Sequence, residues 1–115
     1  MESIKLTELI LSALKERKAF DIVKINVEEK TSVADYFVVA SARSSTQVKS
    51  LAEHIEERVE SQGVRAIRRE GVQDARWVVL DFGDVIVHLF NDETRLFYHL
   101  EKLWGDEANI TKYQD

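Results

Sequence analysis

The sequence predicts an α+β fold, with a single domain in which helices pack on one mixed five-stranded sheet. Apolar residues recur at helical spacing in three segments, and runs of β-branched and aromatic residues stand between them. The resulting order is helix, two strands, helix, three strands and helix, and the apolar face of such a sheet needs helices to cover it. Within the 115 residues, no proline, Gly/Ser-rich linker, internal repeat or low-complexity tract marks a domain boundary.

Two amphipathic helices are predicted in the first half of the chain. The apolar stripe of the first helix comprises Leu6, Leu9, Ile10, Ala13 and Leu14. The second helix begins at Ser44 or Ser45, whose hydroxyls can accept a hydrogen bond from the first turn, and it stops near Gly63. Its buried face comprises Val48, Leu51, Ala52, Ile55 and Val59.

Three strands are predicted around the second helix. Residues 23–27 alternate apolar and polar side chains, which indicates a strand with one wet face. Residues 36–40 are continuously apolar, which indicates a central strand. Residues 64–69 predict a weaker third strand, and charges are typical of sheet edges because they discourage pairing with other chains. The arginines in and near this segment are Arg65, Arg68, Arg69 and Arg76.

Residues 77–104 predict a β-hairpin followed at once by a helix. Residues 77–80 and 85–90 are rich in β-branched and aromatic side chains, and four residues separate them. One of the four is Gly83, which tolerates the positive φ that a tight turn demands.

The helix after the hairpin begins at Asn91 or Asp92 and ends at Gly105. Its predicted buried stripe comprises Leu96, Leu100, Leu103 and Trp104. We assign residues 1–105 to the folded domain and expect residues 106–115 to form a flexible tail.

The composition excludes several classes of function. The net charge is −5, from 21 acidic and 16 basic side chains, and nucleic-acid phosphates repel an acidic protein, so no direct nucleic-acid binding is expected. The absence of cysteine excludes disulfides, thiolate metal sites and cysteine nucleophiles. The amino terminus lacks a signal-peptide pattern and no apolar run approaches the roughly 18 residues of a membrane span, so we expect a soluble cytoplasmic protein without membrane association.

The residues that could carry catalysis do not form a recognisable site. Asp81 and Asp84 flank the hairpin turn, where aspartates are common turn-forming residues. Asp84 and His88 are four strand residues apart, which separates their Cα atoms by about 13 Å, too far for one metal ion. His54 and His99 lie on different predicted helices without a paired ligand. We therefore expect no catalytic residue, no metal and no cofactor.

A sequence signature spans much of the second half of the chain. It comprises Trp77-Val78-Val79-Leu80-Asp81, Gly83-Asp84-Val85-Ile86-Val87-His88, Arg95, Phe97-Tyr98 and Leu100-Glu101-Lys102-Leu103-Trp104. Together with Asp21-Ile22, Ala34-Asp35-Tyr36-Phe37-Val38-Val39 and Gln47-Val48, it resembles the Iojap family, the bacterial ribosomal silencing factors. The resemblance covers nearly the whole chain. One departure is Ala42, which stands in the turn after the second strand, where the family usually has glycine.

The resemblance implies a fold related to the nucleotidyltransferases but a non-enzymatic function. It implies binding to the large ribosomal subunit through the fourteenth large-subunit ribosomal protein, which sterically blocks joining with the small subunit and represses translation under nutrient limitation. Two alternatives remain open, an assembly factor of the large subunit and a nucleotidyltransferase-like enzyme. Such an enzyme would need clustered carboxylates for magnesium and a small turn for phosphates, and the sequence shows neither. Magnesium-dependent nucleotide binding would distinguish the enzyme.

The signature also contains a predicted partner-binding surface. On the last predicted helix, Arg95, Tyr98 and Glu101 recur at i, i+3 and i+6, along a face separate from the leucine stripe. Tyrosine and arginine are enriched among the residues that dominate binding energy. The predicted partner-binding residues are Trp77, Asp81, Asp84, His88, Arg95, Tyr98 and Glu101.

Several of these residues have a purely structural alternative. Trp77 fits the core and the interface equally well, whereas Trp104 fits the core better. His88 is more typical of a strand histidine with one satisfied nitrogen than of a contact residue. Exposed aromatic residues also favour a two-fold homodimer of the free protein that hides the same patch on both copies.

Overall fold

Two helices and a mixed six-stranded sheet make up the computed structural model, which describes residues 2–92, 95, 103–106 and 108–113. The helices are α1 (Ser3–Glu16) and α2 (Ser45–Glu60). The strands are β1 (Phe20–Asn26), β2 (Tyr36–Ala42), β3 (Arg68–Glu70), β4 (Trp77–Asp81), β5 (Val85–Asn91) and β6 (Ile110–Tyr113). The predicted α+β class is confirmed.

The sheet has the strand order β3-β4-β5-β2-β1-β6. Strands β2 and β5 run parallel, and the other neighbouring strands run antiparallel. Because β2 and β5 occupy the middle of the sheet, nearly all of their residues are buried, which explains their continuously apolar sequences. The prediction that residues 36–40 form a central strand is confirmed.

The two helices cover one face of the sheet, which we call the first face. Helix α1 contributes Leu6, Ile10 and Leu14 to this layer, and the predicted stripe of α2 is fully buried. The sheet residues beneath them are Ile22, Val38, Ala40, Val78, Leu80, Val85, Val87 and Leu89. Each large aliphatic side chain that is fully buried contributes about 1.5–3 kcal/mol, so this layer stabilises much of the fold.

The opposite face of the sheet, which we call the second face, carries a separate apolar cluster. Its buried members are Val23, Ile25, Val27, Ala34, Phe37, Val39, Ile86 and Phe90. Four partly buried residues pack against them, Trp77, Val79, Trp104 and Ile110. Trp104 therefore belongs to the core rim, as its sequence context indicated.

The ends of α2 follow the chemistry that the sequence predicted. The Ser44 hydroxyl accepts a hydrogen bond from the Gln47 backbone N–H at 3.1 Å, which satisfies a donor in the first turn. Beyond the last helical residue, Gly63 takes a φ of +81° and donates its N–H to the Glu60 carbonyl. Ala42, the departure from the family pattern, ends β2 without a positive φ, so glycine is not required there.

The predicted hairpin is confirmed as β4 and β5, with Gly83 at a φ of +91° in the turn. The Asp81 carboxylate accepts a hydrogen bond from the Gly83 N–H at 2.8 Å, which holds the turn. The Asp84 carbonyl accepts from the Asp35 and Tyr36 N–H groups at 2.7 and 3.1 Å, which ties the turn to the start of β2.

The predicted number of five strands is wrong, because β6 adds a sixth. It lies in the segment expected to be a flexible tail and pairs antiparallel with β1, from Ile22 opposite Tyr113 to Ile25 opposite Ile110. The Asn109 side-chain amide reinforces this pairing by donating to the carbonyls of Asn26 and Trp104. The strand has only four residues, so it gives little signal in the sequence, and its pairing depends on β1, which is distant in the chain.

The predicted helix after β5 is described in part. Asp92, Arg95, Leu103 and Trp104 have helical backbone conformation, and the other residues of that helix lie outside the described residues. Leu103 is 72% exposed, so its placement on the buried stripe was wrong. The third strand is also shorter than the predicted residues 64–69. It spans Arg68–Glu70, three exposed residues at the sheet edge.

Gly71 should tolerate a side chain much less well than Gly63. Both have positive φ, but a Cβ at Gly71 would lie 2.0 Å from the Trp77 carbonyl oxygen, whereas a Cβ at Gly63 meets nothing within 4 Å. We expect Gly63→Ala to cost about 1 kcal/mol for its left-handed backbone. Gly71→Ala should cost more than about 3 kcal/mol, since the backbone must also shift. Urea unfolding of both variants measures this difference, and equal losses would contradict it.

Candidate partner-binding site

A shallow cavity of about 370 Å³ opens on the second face of the sheet, toward its β3 edge. We call its lining the β4 patch. It comprises Phe37, Val79, Ile86 and His88 with the indole of Trp77, and Arg68, Glu70 and Gly71 complete the lining. Helices α1 and α2 lie on the other side of the sheet, so neither fills it.

Strand periodicity brings these side chains to one face. In β4, Val78 and Leu80 are buried in the first-face core, so the alternate residues Trp77, Val79 and Asp81 belong to the second face. The antiparallel register sets Trp77 opposite Phe90, Val79 opposite His88 and Asp81 opposite Ile86. Residues directly opposite each other share a face, which makes the patch a continuous surface across two strands.

Aromatic contacts fix the rings of the patch. Trp77 stacks on Phe90 with 5.3 Å between ring centroids and 21° between planes. Phe37 makes edge contacts with His88 at 5.1 Å and with Trp104 at 5.3 Å. Such pairs add about 0.5–1.5 kcal/mol each beyond area burial, so the indole of Trp77 is held in a defined orientation.

His88 carries a buried hydrogen-bond donor without a partner. The Trp77 indole N–H donates to His88 Nδ1 at 3.1 Å, and because an indole nitrogen can only donate, Nδ1 must be unprotonated. The neutral ring therefore has its proton on Nε2. Nε2 is buried without a hydrogen-bond partner in the described part of the chain. This confirms the prediction of a strand histidine with one satisfied nitrogen.

Burial also sets the charge of His88. The side chain is 7% exposed, and burial lowers its pKa from 6.5 to about 4, so the ring is neutral near pH 7. A buried donor without an acceptor costs roughly 1–3 kcal/mol, and such groups in native proteins need an explanation.

The charged groups at the edge of the patch are paired. Arg68 Nη2 lies 3.8 Å from Asp81 Oδ2, and Arg68 Nε lies 3.4 Å from Glu70 Oε1. The Asp81 side chain is 16% exposed and also holds the Gly83 N–H. Two carboxylates against one guanidinium leave this edge with a net negative charge.

The predicted site residues divide into three groups. Trp77, Asp81 and His88 come together on the second face, and Asp84 is exposed in the turn beside them. The placement of Arg95 on a non-core face was wrong. It is 9% exposed, and its guanidinium donates to the Asp21 carbonyl at 2.5 Å and to the Ser41 hydroxyl at 2.8 Å.

Arg95 therefore joins the segment after β5 to strands β1 and β2. Asp21 has a φ of +49° at an irregularity of β1, and Arg95 binds its carbonyl there. The predicted contacts Tyr98 and Glu101 lie outside the described residues, so they stay predictions.

Sequence reasoning missed six members of the patch, Phe37, Arg68, Glu70, Gly71, Val79 and Ile86. The alternation of β4 could have revealed Val79, but the others depend on which strands pair. Among the described residues, no group of three or more His, Cys, Asp or Glu side chains could hold a metal ion. Within the same residues, no helix is long and apolar enough to span a membrane.

Acid should destabilise the fold partly through His88. The folded pKa of about 4 lies below the ordinary 6.5, so between these values the unfolded chain binds a proton that the folded chain excludes. The stability that the lowered pKa of His88 contributes is fully present above about pH 6.5. It is lost as the pH falls to about 4, and the free energy of unfolding then decreases by up to about 3 kcal/mol. His88→Asn lacks this group. Unfolding free energies measured from pH 7 to 4 should fall more steeply for the wild type, and parallel curves would contradict the assignment.

Comparison with known proteins identifies the family. The model of the family described as "Ribosomal silencing factor during starvation" matches residues 1–115. A ribosomal silencing factor of Halalkalibacterium halodurans is 36% identical over 110 residues, which cover 96% of this chain and 94% of that protein. A mouse protein named mitochondrial assembly of ribosomal large subunit protein 1 is 31% identical over 84% of this chain, which corresponds to 44% of its own length.

The fold agrees with this assignment. An X-ray crystal structure of a protein from Chromobacterium violaceum aligns with a TM-score of 0.89 and 33% identity, covering 93% of this chain and 90% of that one. The sequence signature, the family match along the whole chain and the shared fold lead to one conclusion: the chain belongs to the ribosomal silencing factor family.

Proposed function

We propose that this protein binds the free large ribosomal subunit through the fourteenth large-subunit ribosomal protein and sterically blocks joining of the small subunit. Translation would thereby be repressed under nutrient limitation. The observation that carries the proposal is the β4 patch, an aromatic and apolar surface with a charged edge on the sheet face that α1 and α2 do not cover. Family membership supports a ribosomal partner.

The β4 patch has the composition of a protein interface. Interface centres are enriched in Trp and other aromatic residues, and polar groups surround them. Trp77 and Val79 are half-buried, so both retain surface for a partner, and Asp81 with exposed Asp84 extends the patch toward the hairpin turn. We propose Trp77, Asp81, Asp84 and His88 as contacts, whereas Arg95 acts inside the fold.

Charge favours a basic partner. The chain carries a net charge of −5, and the edge of the patch has two carboxylates for one guanidinium. Ribosomal proteins are basic as a class, and complementary potentials accelerate encounter and disfavour wrong partners. The same charge disfavours direct contact with ribosomal RNA phosphates.

Steric exclusion requires only size and selective binding. The described residues span 34 × 34 × 25 Å, which is a substantial obstruction on a surface where two subunits meet. A ligand shifts an equilibrium by its difference in affinity for the two states. A protein that binds the free large subunit and cannot bind the joined ribosome therefore opposes joining without any chemistry.

An assembly role in large-subunit biogenesis is the second candidate. It is favoured by the mouse relative, whose name refers to assembly of the mitochondrial large subunit. The two functions share a partner but differ in the step affected. Purified mature subunits contain no assembly step, so inhibition of their joining would distinguish silencing from assembly.

The β4 patch also suits self-association, and we propose that the free protein forms a two-fold dimer through it. Exposed aromatic surface is costly in water, and a two-fold contact hides the same patch on both copies. Dimer formation and subunit binding would then compete for one surface.

Val79→Lys should separate binding from folding. Val79 lies opposite Glu70 across β3 and β4, so a lysine there can pair with that carboxylate while placing a cation against a basic partner. We expect the affinity for purified large subunits to fall at least about thirtyfold, roughly 2 kcal/mol, with recovery of subunit joining. The matched control is Ile4→Lys, since Ile4 is 58% exposed on α1.

Two results of this experiment would contradict the proposal. If folded Val79→Lys binds large subunits with wild-type affinity, the contact surface lies elsewhere. If the variant loses binding yet still prevents joining, steric exclusion is wrong. Circular dichroism and thermal midpoints of both variants verify that they are folded.

Sedimentation tests the dimer. The free wild type should shift from monomer to dimer as its concentration rises, and Val79→Lys should remain monomeric because two lysines would meet across the two-fold axis. Added large subunits should bind one copy of the chain. A wild-type monomer at all concentrations, or a Val79→Lys dimer, would exclude this patch as the dimer interface.

A further inference from the structure

His88 lines the β4 patch, and its Nε2 donor is buried there without a hydrogen-bond partner in the described part of the chain. We propose that His88 Nε2–H donates a hydrogen bond to a neutral amide carbonyl of the partner, from a segment that also places an apolar side chain in the cavity. His88 is then a specificity-determining contact. This inference rests on the proposed function for the partner's identity, but it concerns the chemistry that the site accepts.

The direction of the hydrogen bond follows from Trp77. Its indole N–H occupies Nδ1 of His88 at 3.1 Å, and an indole nitrogen has no lone pair to accept with. Rotation of the imidazole by half a turn would remove this bond, because it places the Cδ2–H group against the indole N–H. The stacking of Trp77 on Phe90 at 5.3 Å resists movement from the other side. Nε2 is therefore held as a donor.

The surroundings of His88 select a protein segment as occupant. Phe37, Val79 and Ile86 provide an apolar floor, and the cavity of about 370 Å³ has room for one large side chain. An entirely apolar occupant would leave the Nε2 proton buried and unsatisfied, whereas a peptide carbonyl satisfies it. A protein backbone offers this combination, an apolar side chain beside a carbonyl oxygen.

The charges at the edge favour a neutral acceptor over a carboxylate. Arg68 is the cation that lines the cavity, and it lies 3.4 Å from Glu70 and 3.8 Å from Asp81. An incoming carboxylate would meet these two anions and would lose its own hydration in an apolar cavity. A neutral amide carbonyl avoids both costs, so the site discriminates against acidic segments.

Two substitutions of His88 separate the donor from the ring. His88→Asn keeps a polar acceptor near the Nδ1 position, which can hold the Trp77 indole, but it has no group at the Nε2 position. His88→Gln reaches the Nε2 position with an amide N–H. We expect His88→Asn to weaken binding to purified large subunits about tenfold and His88→Gln to restore most of that loss. Thermal midpoints of both variants verify folding.

The binding results give clear outcomes. Wild-type affinity in His88→Asn overturns the inference, because the donor would then be unused. Equal losses in the Asn and Gln variants also overturn it, since ring packing and not the donor would matter. A loss of self-association in His88→Asn with unchanged subunit binding would assign the donor to a second copy of the chain and likewise overturn it.

A second measurement keeps the inference separate from the proposed function. Isovaleramide and isovalerate share one apolar group and differ in presenting a neutral carbonyl or a carboxylate. Titration of the wild type should shift the NMR resonance of the His88 Nε2 proton with isovaleramide and leave it in place with isovalerate. If the wild type fails to bind large subunits, the proposed function fails, and this titration still decides the inference. Absence of a shift with isovaleramide, or a shift with isovalerate alone, would overturn it.

Discussion

The register of β4 against β5 determines which side chains form the β4 patch. Side chains alternate between the two faces of a strand, so a slip by one residue would exchange Trp77, Val79 and Asp81 for the core residues Val78 and Leu80. The first-face core under α1 and α2 forbids that slip because it would expose the buried aliphatic side chains. The hydrophobic packing of one face therefore fixes the composition of the other, and the turn that Asp81 and Gly83 form holds the two strands in this register.

Stability and recognition are in conflict at His88. A buried imidazole with an unpartnered donor and a pKa lowered to about 4 is a cost that a leucine or phenylalanine would not impose. The surrounding contacts with Trp77 and Phe37 hold the ring in place despite that cost. A partner that supplies the missing acceptor would satisfy the donor. The site would then be selective, because a buried donor disfavours ligands that cannot form a hydrogen bond with it.

Arg95 shows how a residue of the signature can serve the site indirectly. Its guanidinium is buried and binds the Asp21 carbonyl of β1 and the Ser41 hydroxyl of β2. On its other side β1 pairs with β6, and Asn109 reinforces this pairing. Arg95, within the predicted last helix, and β6, after it, are thus both anchored to β1. A signature residue at helical spacing looks the same in sequence whether it contacts a partner or the interior.

The sequence by itself determined the α+β class, the α2 ends at Ser44 and Gly63, the central position of β2, the hairpin and the family. These features depend on short segments or on the periodicity of apolar residues, and both can be recognised in the sequence from side-chain spacing and turn residues. Only the tertiary structure decided the strand order, the sixth strand, the burial of Arg95 and the exposure of Leu103, because each depends on partners distant in the chain. The β4 patch combines both sources. Alternation along β4 could have indicated which of its residues share a face, but the meeting of Trp77, His88 and Phe37 required the pairing of three strands.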